Sequence, residues 1–403
     1  MSQYRPYPQY KDSGVAWLGK IPKEWNSIKF KHVFREKKKK TDLMLDCGSI
    51  SFGEVVYKDN DKIPEETKAA YQEVLIGEFL VNPLNLNFDL KSLRTALSNI
   101  NVVVSTGYIV LQSQNDMNKN YLRWLLYQFD IAHMKTLGAG VRQTVNFTDI
   151  GNEYFYMPSF KEQQSIVNFL DNATCKIDTL IQKQQNLIEL LKEKRQTAVE
   201  NIIMQDKIVS MRLGMVVDQI FRPVDRKMEE VYIALGLYNR GRGLFHKEPK
   251  EGSELGDSYF YWIQNGDLIL SGQFAWEGSV ALAGKSENNC IVSHRYPVLR
   301  GKENIINTEY LWAFLTTKIG DFILNENSVG SAGRNRPLNI NTLMKEKIPV
   351  PSLDEQLKIS KIVQVEKKII DSVAKTIELL KERRTALISG VVTGKIDVKG
   401  IAS

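Results

Sequence analysis

The chain has 403 residues, enough for two or three domains, and its 43% apolar and 25% charged content is that of a folded globular protein. A formal charge of +7 favours a polyanionic partner only weakly, because 47 acidic residues sit among 54 basic ones. Cys47, Cys175 and Cys290 lack metal-ligand spacing, and no long apolar run is present, so the expectation is a reduced cytoplasmic protein, neither secreted nor membrane-spanning.

Residues 1–25 are studded with Tyr4, Pro6, Tyr7, Pro8, Tyr10, Trp17, Pro22 and Trp25, which predicts an extended N-terminal arm packed on its own domain. Residues 26–157 form a first globular unit. It opens on Lys37, Lys38, Lys39 and Lys40, a run that reads either as a solvated loop or as a phosphate-contacting one. Strand-like runs follow at residues 48–56, 74–83 and 101–111, then an amphipathic helix over residues 120–137. Asn82-Pro83-Leu84-Asn85 matches an amino-methyltransferase motif at two positions only and reads as a strand-end turn. A glycine-flanked loop over residues 138–146 carries Arg142 and Gln143.

Residues 158–204 read as one long helix. Its apolar seam alternates steps of four and three: Ile166, Leu170, Ala173, Ile177, Leu180, Gln184, Leu187, Leu191, Lys194, Ala198. Such a narrow stripe wants a single partner helix. Residues 205–349 then repeat the order of the first unit, with Gly266-Asp267-Leu268-Ile269-Leu270 matching Gly77-Glu78-Phe79-Leu80-Val81. The second unit carries Arg240 and Arg242 in the stretch Asn239-Arg240-Gly241-Arg242-Gly243, and its own basic loop with Arg334, Asn335 and Arg336. Residues 350–395 form a second long helix with the seam Ile359, Val363, Glu366, Ile370, Val373, Ile377, Leu380, Arg384, Leu387, Val391; residues 396–403 are a tail.

Pro158 and Gln163 match Pro351 and Gln356 at an offset of 193, whereas Glu189-Leu190-Leu191-Lys192-Glu193 matches Glu378-Leu379-Leu380-Lys381-Glu382 at 189. The chain is therefore an internal repeat of two similar α/β units, each followed by a helix of about 60 Å. An antiparallel coiled coil with summed residue numbers near 557 overlaps both helices. It sets Leu187 against Ile370, Leu180 against Ile377 and Ile177 against Leu380, with Glu366 one layer from Lys194. The alternative is a seam docked on the globular units.

No phosphate-binding glycine loop, dinucleotide fingerprint or histidine pair with metal or triad spacing is present, so the pattern is that of a binding protein. The best binding candidates are the basic loops. Arg suits guanine, Asn and Gln suit adenine, and lysines suit phosphates. The same loops read equally well as structural.

With the repeats in view, the chain resembles the specificity subunit of Type I restriction–modification systems. The residues that carry the likeness are residues 12–25, beginning Asp12-Ser13-Gly14-Val15-Ala16-Trp17-Leu18-Gly19, together with Pro158/Glu162/Gln163, Pro351/Glu355/Gln356 and the paired Glu-Leu-Leu-Lys-Glu segments. The resemblance implies an α+β chain of two target-recognition domains, residues 26–157 and 205–349, joined by two antiparallel helices. Each domain would read one half of a bipartite, asymmetric site in double-stranded DNA, with the helices as a ruler. The subunit itself would be non-catalytic and without cofactor. Two modification subunits carrying S-adenosylmethionine would methylate adenine, and restriction subunits would use ATP and Mg. A different class, a coiled-coil scaffold without sequence-specific DNA binding, would share the helices and fail to retain DNA in a salt-dependent way.

Overall fold

A computed structural model of the chain describes residues 4–59, 63–84, 93–114, 117–137, 144–205, 208–330 and 336–401. It divides into one unit of Met1–Gln182 with Ile377–Ser403, and a second of Lys183–Thr376. The division cuts both long helices, Phe160–Ile203 and Leu353–Val392. In each unit the leading part of one helix keeps company with the trailing part of the other, so the helices pair antiparallel within each unit.

The first unit is built on a four-stranded antiparallel sheet in the order Phe34–Glu36, Ile109–Ser113, Phe79–Val81, Thr95–Leu97. The apolar runs read from the sequence are broken into short strands by turns. Gly77, at φ +82°, ends one such run before Phe79. Phe52 and Gly53, both at positive φ, turn Gly48–Ser51 back onto Glu54–Tyr57. The helix Lys119–Ala132 starts where the Asn118 side chain accepts from two backbone N–H groups, and it buries Leu122, Leu125 and Phe129 against the sheet and helix core.

The N-terminal arm is folded, with Tyr10–Asp12 paired to Lys20–Pro22. It is held by Glu162 at the start of the first long helix, which accepts from the Tyr7 hydroxyl at 2.6 Å and the Trp25 indole at 3.2 Å. Burial and the adjacent Glu162 carboxylate raise the Tyr7 pKa, so the phenol stays a donor. The C-terminal tail joins the same cluster through Lys399, 3.4 Å from Glu162, and through Asp397, whose N–H donates to the Arg5 carbonyl.

The second unit repeats the plan. Its sheet runs Val217–Gln219, Val298–Gly301, Leu268–Leu270, Val280–Leu282. Gly266 stands at φ +88°, matching Gly77. Asn307 caps Thr308–Leu315 as Asn118 caps its counterpart, and Asn339 caps Ile340–Leu343 as Asn146 caps Phe147–Gly151. Gln163 and Gln356 serve one purpose. Each donates to the carbonyl of the proline five residues back, closing the turn from which its long helix starts.

The seam of the second long helix buries Val373 and Ile377 and half-buries Ile370 and Leu380. The first long helix needs a correction. Ile177 is buried and Leu191 half-buried, but Leu180 is 46% exposed and Leu187 38% exposed. Buried or half-buried positions instead run Ile166, Leu170, Thr174, Ile177, Ile181, Gln184, Ile188, Leu191, Arg195, Val199. Successive steps of four, at Ile166–Leu170–Thr174 and again at Leu191–Arg195–Val199, shift the stripe. A 3.6-residue helix drifts against a 3.5-residue repeat, and here the drift is taken up at these two places. Arg195, not Lys194, therefore faces inward and meets Glu366. In the first unit Asp178 meets Arg384 at 2.9 Å. Both pairs sum to four or five more than 557, so these ion pairs lie about one turn from the register expected from the seam.

Candidate nucleic-acid interface

Each unit brings three chain segments to one corner of its four-stranded sheet. In the first unit the Val145 N–H donates to the Pro83 carbonyl at 3.2 Å. This ties the chain leaving the basic loop to the end of the strand Phe79–Val81. In the second unit the Leu338 N–H donates to the Gly272 carbonyl at 2.9 Å, the same tie at the end of Leu268–Leu270. The third segment is the turn leading into the sheet strand: residues 105–108 in the first unit, 293–296 in the second.

The lysine run borders this corner in the first unit. Its four members do not behave alike. Lys37 is half-buried and reaches inward to Glu73 at 3.1 Å and Glu78 at 2.8 Å, which corrects its assignment as a phosphate contact. Its N–H bonds the Val110 carbonyl, extending the ladder from Phe34–Glu36, and two acids wait beneath it. Lys40 is exposed, 3.6 Å from Glu73. Lys38 and Lys39 remain at the surface, with Lys39 donating weakly to the Thr106 carbonyl at 3.4 Å. Arg142 and Gln143 lie outside the described residues. The Asn82 side chain accepts from the Leu84 N–H, an Asx turn at the strand end; Asn85 is outside the described residues.

In the second unit the turn at residues 271–278 collects basic groups along its length. Arg240 stands at φ +58° with its N–H on the Glu277 carbonyl at 2.7 Å, and its side chain is exposed. Arg242 folds back on its own loop, donating to the Asn239 carbonyl at 3.0 Å and lying over the Tyr238 ring. Asn239 itself is held by Glu277. Arg334 and Asn335 lie outside the described residues. Arg336 corrects the sequence reading: its guanidinium donates to the Ser328 carbonyl at 3.0 Å and to the Asn325 side chain at 2.6 Å, and covers the Trp276 ring. It closes the C-terminal end of the helix Lys318–Glu326, where a cation meets orphan carbonyls, and is spent on structure.

Among the described residues no group of three or more His, Cys, Asp or Glu could hold a metal ion, and no helix is long and apolar enough to cross a membrane. The corners offer cations, amides and aromatic rings on a hydrogen-bonded frame, groups of the kind that contact phosphates and base edges. Sequence reasoning missed the turn at residues 293–296, because its exposed residues sit in a stretch that reads simply as a strand.

The family profile described as Type I restriction modification DNA specificity domain matches residues 22–190 and again 236–386. These two matches span most of the chain, which belongs to that family. It is a DNA sequence-specificity subunit, a DNA-binding member of a Type I restriction–modification complex. A solved structure described under complex assembly and conformational transition of the type I R-M system is similar at 15% identity, covering 93% of this chain and 99% of that one, with a TM-score of 0.57. That likeness shows a shared fold. The Type-I restriction-modification S subunit from M. genitalium aligns at 14% identity over 91% of this chain and 96% of that one, TM-score 0.45. The HsdS subunit from Thermoanaerobacter tengcongensis aligns at 15% identity over 96% and 100%, TM-score 0.43. No curated protein sequence matches the chain.

Proposed function

We propose that residues 26–157 and 205–349 are two target-recognition domains, each reading one half of a bipartite, asymmetric duplex target. The two long helices set the unread spacer and dock two modification subunits. The chain does no chemistry of its own. S-adenosylmethionine belongs to the modification subunits, which methylate adenine, and ATP with Mg belongs to restriction subunits joining the same cytoplasmic complex. The observation that carries this reading is the repeated corner. Pro83 with Val145 and Gly272 with Leu338 make the same tie, yet the side chains around them differ. One scaffold with two surfaces suits two unlike half-sites.

The test is a genome-wide map of methylated adenines in cells with and without the gene. A two-part motif that disappears with the gene is expected. An unchanged map overturns the reading.

A further inference from the structure

Most described arginines of the second unit are already occupied by protein. Arg222 and Arg300 both hold Asp267 at 2.6 Å, Arg226 bonds the Leu255 and Gly256 carbonyls, and Arg336 closes a helix end. Arg295 differs. It lies exposed in the turn at residues 293–296, and its guanidinium makes no hydrogen bond or ion pair among the described residues.

Its backbone, by contrast, is fixed. The Arg295 carbonyl accepts from the Gly272 N–H at 2.9 Å, and the Tyr296 N–H closes the turn on Ser293. A Cβ at position 272 would stand 2.2 Å from the Arg295 oxygen, so glycine is what permits this approach. Gly272 in turn accepts from Leu338. The guanidinium thus projects from a pinned frame, beside Gln273, which is exposed and whose side-chain amide likewise makes no hydrogen bond among the described residues.

These residues border a cleft of about 360 Å³ that also includes Gln219, Phe221, His294 and Pro337. Phe221 is 60% exposed, its ring edge-on to Tyr261 at 5.7 Å. A phosphate contact needs only charge. This cleft combines a planar fork, two amides and an apolar edge, the set that distinguishes bases. The matching corner of the first unit has Gly107 and Leu84 in its place, with the Leu84 side chain 3.0 Å from where a Cβ on Gly107 would stand. The two corners therefore present different chemistry.

We propose that this cleft is the base-reading element of the second unit, with the Arg295 fork on the O6 and N7 of a guanine in the major groove and Gln273 on a neighbouring adenine. The inference rests on the chain's reading as a two-domain specificity subunit.

The test is selection from a library of random DNA duplexes by the full chain assembled with its native partner subunits, comparing wild type, R295A, R295K and Q273A. Wild type selecting a two-part sequence upholds the underlying reading; wild type selecting none sinks that reading itself. Given the former, R295A is expected to lose preference at one guanine of one half-site and keep the other half. Its affinity for the parental duplex should fall about 10- to 100-fold. R295K, with a point charge in place of the fork, should not restore the preference. Q273A, the second variant should R295A fail to fold, should relax an adjacent adenine. The proposal is overturned if R295A selects the parental sequence in both halves, if it weakens all duplexes equally with a shallower salt dependence, if R295K matches wild type, or if Q273A leaves selection unchanged.

Discussion

Arg195 of the first long helix and Glu366 of the second form an ion pair at 2.5 Å, with side chains 5% and 4% exposed. The guanidinium also lies over the Trp312 ring, 4.4 Å from its centroid. Burial lowers the arginine's hold on its proton and raises the glutamate pKa, while the mutual attraction opposes both shifts. Arg195 Nε and Glu366 Oε2 have no hydrogen-bond partner among the described residues, so the pair is an imperfect substitute for water and a demanding one to break.

E366A strands a buried guanidinium and should cost about 3–5 kcal/mol, whereas R195M combined with E366L should recover most of that loss. Urea unfolding of wild type and the two variants measures this. A cost below about 1 kcal/mol for E366A would mean that the pair is solvated.

Gln163 and Gln356 occupy the same motif position but carry different loads. Gln356 donates to the Pro351 and Ile305 carbonyls and accepts from the Asn307 N–H at 2.6 Å, tying the long helix to the start of Thr308–Leu315. Among the described residues Gln163 makes its proline bond alone, and its Oε1 has no partner there. Q356A should cost about 2–3 kcal/mol and Q163A about 1 kcal/mol. Unfolding midpoints, with amide exchange at Asn307 as the local probe, distinguish the two; equal costs would contradict the account.

Asp130 is fully buried, and burial raises its pKa from 3.8 to about 6 despite the lowering effect of the Arg94 N–H bond and of the Lys135 and Arg94 charges. The folded chain holds this proton where the unfolded chain has lost it. The group's contribution to stability is therefore full below about pH 4 and is lost as the pH rises through about 6, a change on the order of 2–3 kcal/mol. D130N keeps an acceptor for the Arg94 N–H and carries no charge. The fall in denaturation midpoint between pH 4 and pH 7 should flatten in this variant; an unaltered slope would assign the dependence elsewhere.

Arg336 and Arg240 share the turn at residues 271–278 but should separate by assay. R336A loses its bonds to Ser328 and Asn325 and its cover of Trp276, and should lower stability by about 1–3 kcal/mol. R240Q should leave the unfolding curve within about 0.5 kcal/mol of wild type while reducing the salt slope of DNA binding by about one ion. Thermal melts and salt titrations give both readouts, and a destabilised R240Q would remove that arginine from the interface.

The sequence by itself determined the duplication, the two long helices and the paired Gln163 and Gln356 at their starts. These are signals of local geometry, which a helix writes into neighbouring residues. It also restricted the search to basic loops, since charge and donor type are properties of single side chains. Tertiary structure decided which of two adjacent residues faces inward, Ile181 over Leu180 and Arg195 over Lys194, because a partner helix, not the helix itself, sets where the drifting stripe is buried. It likewise split a uniform lysine run, drawing Lys37 onto Glu73 and Glu78 and leaving Lys38 in solvent. Arg295 became visible only through the contact of its carbonyl with Gly272, for a free side chain on a fixed backbone is defined by what surrounds it.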